Sequence, residues 1–290
     1  MQMTKASLER IFFAALLSIL LSGCGSLFYY PDSSLYVDVK NLPTQPEEIS
    51  FQGSEGEKLT GWYFHASEKP RGKILFFHGN AENMTAHFAS LYWILQHNYD
   101  YFIFDYPGYG KSEGKPTQKS TTDSGQKALQ WLMQRNPEVP LVIFGQSLGG
   151  NIALYTAAEN KNIAQPCLVT VESTFQSYRK VAQRVLAKQW ITWPVQWMPY
   201  LVVSDSYSAE DKIQKISPTP LLVIHGNADP IVSLENGRDI FAAAAEPKEF
   251  SLVEGGGHIQ AFSGDHASEQ RAKFISALEK NCSNLKTVSK

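Results

Sequence analysis

The chain has 290 residues, 43% of them hydrophobic and 19% charged, with a net charge of −2. This is the composition of a globular protein. With no basic stripe in the chain, it excludes nucleic acid as the expected partner.

The predicted elements begin with a targeting segment. Lys5 and Arg10 flank a polar start, and residues 11–21 are almost wholly apolar. That run is too short to span a bilayer and has the length of a signal-peptide core. It ends in Leu21-Ser22-Gly23-Cys24, which resembles the bacterial lipobox. The resemblance implies a lipoprotein signal peptide at residues 1–23, cleavage before Cys24, and a lipid (a palmitate-type acyl chain) on the Cys24 thiol. A lipid anchor tethers a protein to a membrane without spanning it. A plain secretory signal or an uncleaved anchor is the alternative. Gly25 follows the cysteine where an aspartate would resemble an inner-membrane retention signal. The expected location is therefore the cell envelope, and the outer membrane in a Gram-negative cell. Residues 24–48, with Pro31, Pro43 and Pro46, read as a tether to a catalytic-sized domain at 49–290.

That domain alternates strands and helices. Residues 49–51 and 59–65 read as an opening hairpin. Continuous apolar runs at 74–77, 101–105, 141–144, 167–171, 221–224 and 250–253 read as central strands, since strands covered on both faces need no polar alternation. Helical patterns lie near 83–97, 120–135, 147–160, 235–245 and 267–281. The expected fold class is α/β, with a mostly parallel central sheet flanked by helices. Residues 173–216 break the alternation with Phe175, Tyr178, Trp190, Trp193, Trp197, Tyr200 and Tyr207, and read as a short helical lid. Most of these aromatics are expected to glue the lid to the body, with one or two facing the site as the wall of an apolar pocket.

The chemistry-bearing motifs sit at strand ends. Gly145-Gln146-Ser147-Leu148-Gly149 is G-x-S-x-G between an apolar strand and a helical pattern. A tight turn there raises the serine hydroxyl above the sheet, and flanking glycines avoid clashes in the turn. Asp229 follows the strand at 221–224, and His258 follows the strand at 250–253 through Gly255-Gly256-Gly257. Serine needs a base to accept its proton, and the base needs an acid to hold its tautomer, so Ser147, His258 and Asp229 are the candidate nucleophile, base and acid. Phe76-Phe77-His78-Gly79-Asn80-Ala81 ends the first parallel strand. The N–H groups of Asn80 and Leu148 are the candidate oxyanion hole. His78, His225 and His266 are rival bases, and Asp105 is the rival acid. His78 and His225 end strands, where histidine usually organises a loop, and His266 lies eight positions past His258. Glu172 is expected in a neighbouring structural role.

These segments resemble the α/β-hydrolase superfamily. Within it, the nearest resemblance is to single-domain serine hydrolases of the serine-aminopeptidase-like branch and to eukaryotic membrane-associated α/β-hydrolase-domain proteins. The resemblance is carried by Leu59-Thr60-Gly61-Trp62, His78-Gly79-Asn80-Ala81, Asp105-Tyr106-Pro107-Gly108-Tyr109-Gly110-Lys111-Ser112, Gly145-Gln146-Ser147-Leu148-Gly149, Glu172-Ser173-Thr174-Phe175, His225-Gly226-Asn227-Ala228-Asp229 and Gly257-His258. It implies that His78 marks the oxyanion loop, that Asp105 belongs to a structural turn, and that the lid is the fold's usual cap. The expected function is a membrane-tethered carboxylesterase or thioesterase acting on a small-molecule or lipid-like acyl substrate. The alternatives are a serine peptidase of the same fold and a non-catalytic binding lipoprotein. No cofactor is expected, and no metal, since the histidines and cysteines lack ligand spacing. Cys167 and Cys282 are open either to pairing, as in an envelope protein, or to remaining as two thiols.

Overall fold

A computed structural model describes residues 28–283. The segment read as a signal peptide and Cys24 lie outside the described residues. The strands are β1 (Glu47–Gln52), β2 (Lys58–Phe64), β3 (Gly72–Phe77), β4 (Tyr99–Phe104), β5 (Leu141–Gln146), β6 (Leu168–Glu172), β7 (Leu221–Gly226) and β8 (Lys248–Val253). They form one sheet in the order β1-β2-β4-β3-β5-β6-β7-β8. The opening hairpin is antiparallel, and β2 joins β4 antiparallel; every other pairing is parallel. This is the α/β-hydrolase fold.

The helices are α1 (Met84–His87), α2 (Gln118–Gln134), α3 (Leu148–Glu159), α4 (Tyr178–Ala187), α5 (Pro199–Val202), α6 (Leu234–Ala243) and α7 (Ala267–Cys282). From β3 to β7 every strand residue is buried, as coverage on both faces requires. Alternate side chains then feed two cores. Leu75, Phe77, Ile143, Val169 and Val223 face α2 and α3, while Ile74, Phe76, Val142, Phe144 and Leu222 face α7 through Phe274 and Leu278. The pattern at 83–97 forms a single turn, α1, followed by two 3-10 segments, Phe88–Ser90 and Tyr92–His97. Phe88, Leu91 and Ile94 are all buried at a spacing of three, which suits 3-10 winding. α2 starts at a capping box in which Thr117 and Ser120 satisfy each other's backbone N–H.

Cys167, just before β6, and Cys282, at the end of α7, form a disulfide across a sequence separation of 115. The described part of the 24–48 stretch read as a tether lies against the body. From Phe28 onward it is docked on the body. Tyr29 is buried with its hydroxyl 3.3 Å from both Thr121 Oγ1 and the Tyr178 hydroxyl. Asn83 donates to the carbonyls of Asp32 and Ser34 at 3.0 and 2.8 Å, and Gly110 N–H donates to Asp32 O at 2.9 Å. Polar partners on the body and the buried Tyr29 ring outweigh the entropy that a free linker would keep. Among the described residues, no helix is long and apolar enough to cross a membrane.

Candidate active site

The turn after β5 is as tight as G-x-S-x-G requires. Ser147 sits at φ 52° and ψ −123°, between the end of β5 and the start of α3. A non-glycine residue there costs about 1–3 kcal/mol, so the surroundings must hold it. Ser147 N–H donates to Glu172 O at 2.9 Å, and Ser147 O accepts from Gly150 N–H at 3.0 Å and from the Thr174 hydroxyl at 2.5 Å. The glycines are needed for close approach. A Cβ on Gly149 would lie 2.3 Å from the carbonyl oxygens of Phe77 and His78, and one on Gly145 would lie 2.5 Å from Gly149 O.

The loops after β7 and β8 bring the other two groups to the serine. Ser147 Oγ donates to His258 Nε2 at 3.0 Å, and His258 Nδ1–H donates to Asp229 Oδ2 at 2.8 Å. The tautomer with the proton on Nδ1 satisfies both contacts. The other carboxylate oxygen, Asp229 Oδ1, accepts from the N–H groups of Ile231 and Val232, both at 2.9 Å. Burial raises the cost of the Asp229 charge, but His258 and these two N–H groups outweigh it and hold the carboxyl below its ordinary value. The carboxylate therefore stays ionised at neutral pH. Of the glycines ahead of His258, Gly255 takes the left-handed φ of 70°. Gly256 O packs where a Cβ on Gly226 would be, 2.1 Å away, which ties this loop to the end of β7.

The rivals are placed elsewhere. His78 is fully buried, its Nδ1–H donating to Gly79 O at 2.7 Å and its carbonyl accepting from the Tyr106 hydroxyl at 2.9 Å. His225 Nε2–H donates to Val232 O at 2.9 Å and lies 3.7 Å from Asp229 Oδ2. Burial pushes both rings below the ordinary histidine value, so both are neutral and neither competes for the Asp229 charge. His266 ends a 3-10 turn ahead of α7 and bonds to neither Ser147 nor Asp229. Asp105 accepts from Met84 N–H at 2.7 Å and makes no hydrogen bond to His258, and burial pushes its carboxyl up to about 7.

Leu148 opens α3, so its N–H has no partner inside the helix and lies at the positive end of the helix dipole. Asn80 faces the same space. Its side-chain oxygen accepts from Tyr30 N–H at 2.9 Å and from the Tyr109 hydroxyl at 2.8 Å, which fixes the loop that follows β3.

Ser147, Leu148 and Asn80 line a cavity of about 650 Å³. Its other walls are apolar and come mostly from the lid and from residues 28–30. They include Phe28, Phe175, Val181, Leu186, Met198 and Val202. The lid tryptophans take neither expected role. Trp190, Trp193 and Trp197 are absent from the lining and exposed on the outside. Of the seven lid aromatics Phe175 does line the cavity, and Val181 and Leu186 of α4 with Val202 of α5 supply much of the remaining inner face.

Glu172 takes a neighbouring structural role, as its place after the apolar run suggests. It is buried, accepting from Gln146 Nε2 at 2.7 Å and from Ala261 N–H at 2.8 Å, while Ser173 Oγ accepts from Ile259 N–H at 3.2 Å. The stretch just after His258 thus hangs on the end of β6. Burial raises the Glu172 carboxyl above its ordinary value despite these donors. The sequence signal was a charged residue directly after an apolar strand, beside the nucleophile strand. The docked stretch 28–36 had no signal in its pattern beyond Phe28-Tyr29-Tyr30.

Among the described residues, no cluster of three or more His, Cys, Asp or Glu side chains is placed to hold a metal ion. Residues 68–217 match the family model described as "Serine aminopeptidase, S33". The chain is 34% identical to the protein YfhR of Escherichia coli O157:H7, over 87% of this chain and 86% of that one. It is 30% identical to human alpha/beta hydrolase domain-containing protein 17B, over 77% and 73%. Among solved structures, the esterase Pf2001 of Pyrococcus furiosus superposes with a TM-score of 0.71 at 18% identity, covering 88% of this chain and 98% of that one. The fold and the site define an α/β hydrolase. The chain belongs to the serine aminopeptidase S33 family of that superfamily.

Proposed function

We propose that the protein is a membrane-tethered serine hydrolase that cleaves carboxylic esters or thioesters through an acyl-enzyme. The observation that carries this reading is the continuous Ser147–His258–Asp229 hydrogen-bond relay opening onto an apolar cavity. Ser147 Oγ attacks the acyl carbonyl as its proton passes to His258 Nε2. The N–H groups of Asn80 and Leu148 take up the charge on the carbonyl oxygen. The C–O or C–S bond then breaks, and His258 protonates the departing alcohol or thiol. Water gives its proton to His258 and attacks the acyl-enzyme, the acid leaves, and the proton returns to Ser147.

The family description supports a hydrolase and raises peptide cleavage as the other reading. Recognition of a peptide's free amino terminus calls for an acidic group in the pocket, and none of the residues lining this cavity is acidic. The apolar walls favour an acyl chain. The lipobox at Cys24 motivates the tether. The test is labelling with a fluorophosphonate probe. Wild type is expected to label and Ser147→Ala to remain unlabelled while folding normally. Absence of labelling in folded wild type would favour a non-catalytic binding lipoprotein.

A further inference from the structure

The lid has two apolar faces, and the cavity accounts for only one. Val195, Met198, Pro199, Val202 and Val203 turn inward to the cavity. Outside the lining, Trp190 is 84% exposed, Trp193 60%, Trp197 55% and Leu201 76%, with Ile191 and Tyr200 also exposed in the same stretch. From residue 189 to residue 203 the chain carries no charged side chain. Isolated exposed apolar residues are ordinary, but a contiguous group rich in tryptophan marks an interaction surface. Tryptophan also favours the level of lipid headgroups, where its ring is half in hydrocarbon and its N–H stays hydrated.

The position of the chain's N-terminal end says what covers this face. Phe28 and Tyr30 line the same cavity as the lid. Cys24 precedes Phe28 by four residues. Fully extended, four residues reach about 14 Å. A lipid on Cys24 therefore holds the bilayer within about that distance of the cavity wall, beside the lid, with little freedom to tumble. Tyr30, Val185 and Ile231 are exposed cavity-lining side chains, so the apolar surface runs from the cavity to the outside of the lid.

We propose that the outer face of the lid, residues 189–203, is a membrane-docking surface that inserts its tryptophans at the lipid interface and turns the cavity toward the bilayer. This rests on the tethered-hydrolase reading above and extends it. The substrate class is an acyl ester or thioester whose chain already lies in the membrane and passes into the cavity without crossing water. The second apolar face of the lid then has a function, since a lid exposed only to water gains nothing from three tryptophans.

The test uses the full lipidated chain reconstituted into phosphatidylcholine vesicles with and without brominated acyl chains. Bromine quenches only tryptophans that reach the bilayer. Trp62 and Trp93 are buried in the body and Trp131 is half-buried there, so they serve as the unquenched background. Wild type is expected to float with the vesicles and to be quenched, and Trp190→Phe/Trp193→Phe/Trp197→Phe is expected to lose most of that quenching. Replacing the same three with glutamine should lower hydrolysis of a vesicle-borne acyl ester at least tenfold and leave a water-soluble butyrate ester within twofold. Flotation without quenching, or a glutamine variant equal to wild type on vesicles, overturns the proposal. A dimer sensitive to the glutamine changes, without quenching, would make this face a contact between two copies and also overturns it. Absence of flotation overturns the lid surface and the tether together. Quenching needs no turnover, so loss of phosphonate labelling reports a failure of the serine chemistry separately.

Discussion

Replacing Asp229 by asparagine is the sharpest perturbation of the proposed relay, because the shape is kept and only hydrogen-bonding polarity changes. Asp229 Oδ1 accepts two N–H groups, from Ile231 and Val232, so the asparagine oxygen takes that position. Its NH2 then points at His258 Nδ1, where Oδ2 accepted at 2.8 Å. An N–H facing Nδ1 forces the ring proton onto Nε2. Nε2–H then faces Ser147 Oγ as a donor, and the serine loses its proton acceptor. The protonated ring formed during attack also loses the ionised carboxylate that stabilised it. Turnover is expected to fall by about 10⁴, as the wrong tautomer does in other triads, which is about 5.5 kcal/mol of barrier. The fold should survive with a loss of about 1–3 kcal/mol, since one charge-assisted hydrogen bond is replaced. The assay is kcat/KM on a soluble butyrate ester, paired with a circular-dichroism melt. Near-full activity in Asp229→Asn, together with loss of activity in a folded Asp105→Asn, would refute the assignment.

Three further outcomes are expected. Burial raises the Asp105 carboxyl from 3.8 to about 7, so between those values the folded state holds a proton that the unfolded state has lost. Its contribution to stability should therefore decline as pH rises across that window, by at most about 4 kcal/mol, and urea unfolding of Asp105→Asn should show a flatter profile than wild type between pH ~4 and ~7.5. The Cys167–Cys282 disulfide closes a sequence separation of 115, so reductant or Cys167→Ala/Cys282→Ala should lower stability by about 2–5 kcal/mol, read as a drop in Tm absent from the reductant-treated double variant. The cavity should reward acyl length: each buried methylene is worth about 0.8 kcal/mol, so acetyl to butyryl should raise kcat/KM about tenfold and octanoyl should stay above acetyl, while a preference for acetyl would reject an acyl-chain cavity.

The sheet and the relay were legible because both follow from local rules. Continuous apolar runs at β3 to β7 announce strands buried on both faces, and G-x-S-x-G announces a turn that only small neighbours permit. Ser147, Asp229 and His258 each lie in the short connection after a strand, so reading the strands correctly places the three residues on one edge of the sheet. What was not legible depended on tertiary contact. Pro31 and the polar residues around it suggest a free linker, and nothing local reveals that Asn83 would offer two N–H donors to the carbonyls of Asp32 and Ser34. The Cys167–Cys282 pairing depends on α7 ending beside the start of β6. The lid's composition told of aromatics but not of direction. Residues 189–203 carry no charge on either side, so periodicity there could not say which face turns inward.

The same division separates what the fold shares across its superfamily from what is particular to this chain. A serine relay and an oxyanion loop serve esters, thioesters and peptides alike, and the fold itself does not choose among them. The choice lies in the groups that meet the rest of the substrate. Here those groups come from residues 28–30 and from the lid, the two regions whose local pattern was least informative. They supply Phe28, Val181, Leu186, Met198 and Val202, with no carboxylate to hold a free amine. Burying a peptide's polar backbone against such walls would cost about 1–3 kcal/mol for each unpaired group, whereas a hydrocarbon chain gains free energy with every methylene buried. Tyr30 also joins the two halves of the problem. It lines the cavity while its N–H holds the Asn80 side chain, so the segment leading back to Cys24 reaches both the cavity and the loop that follows β3.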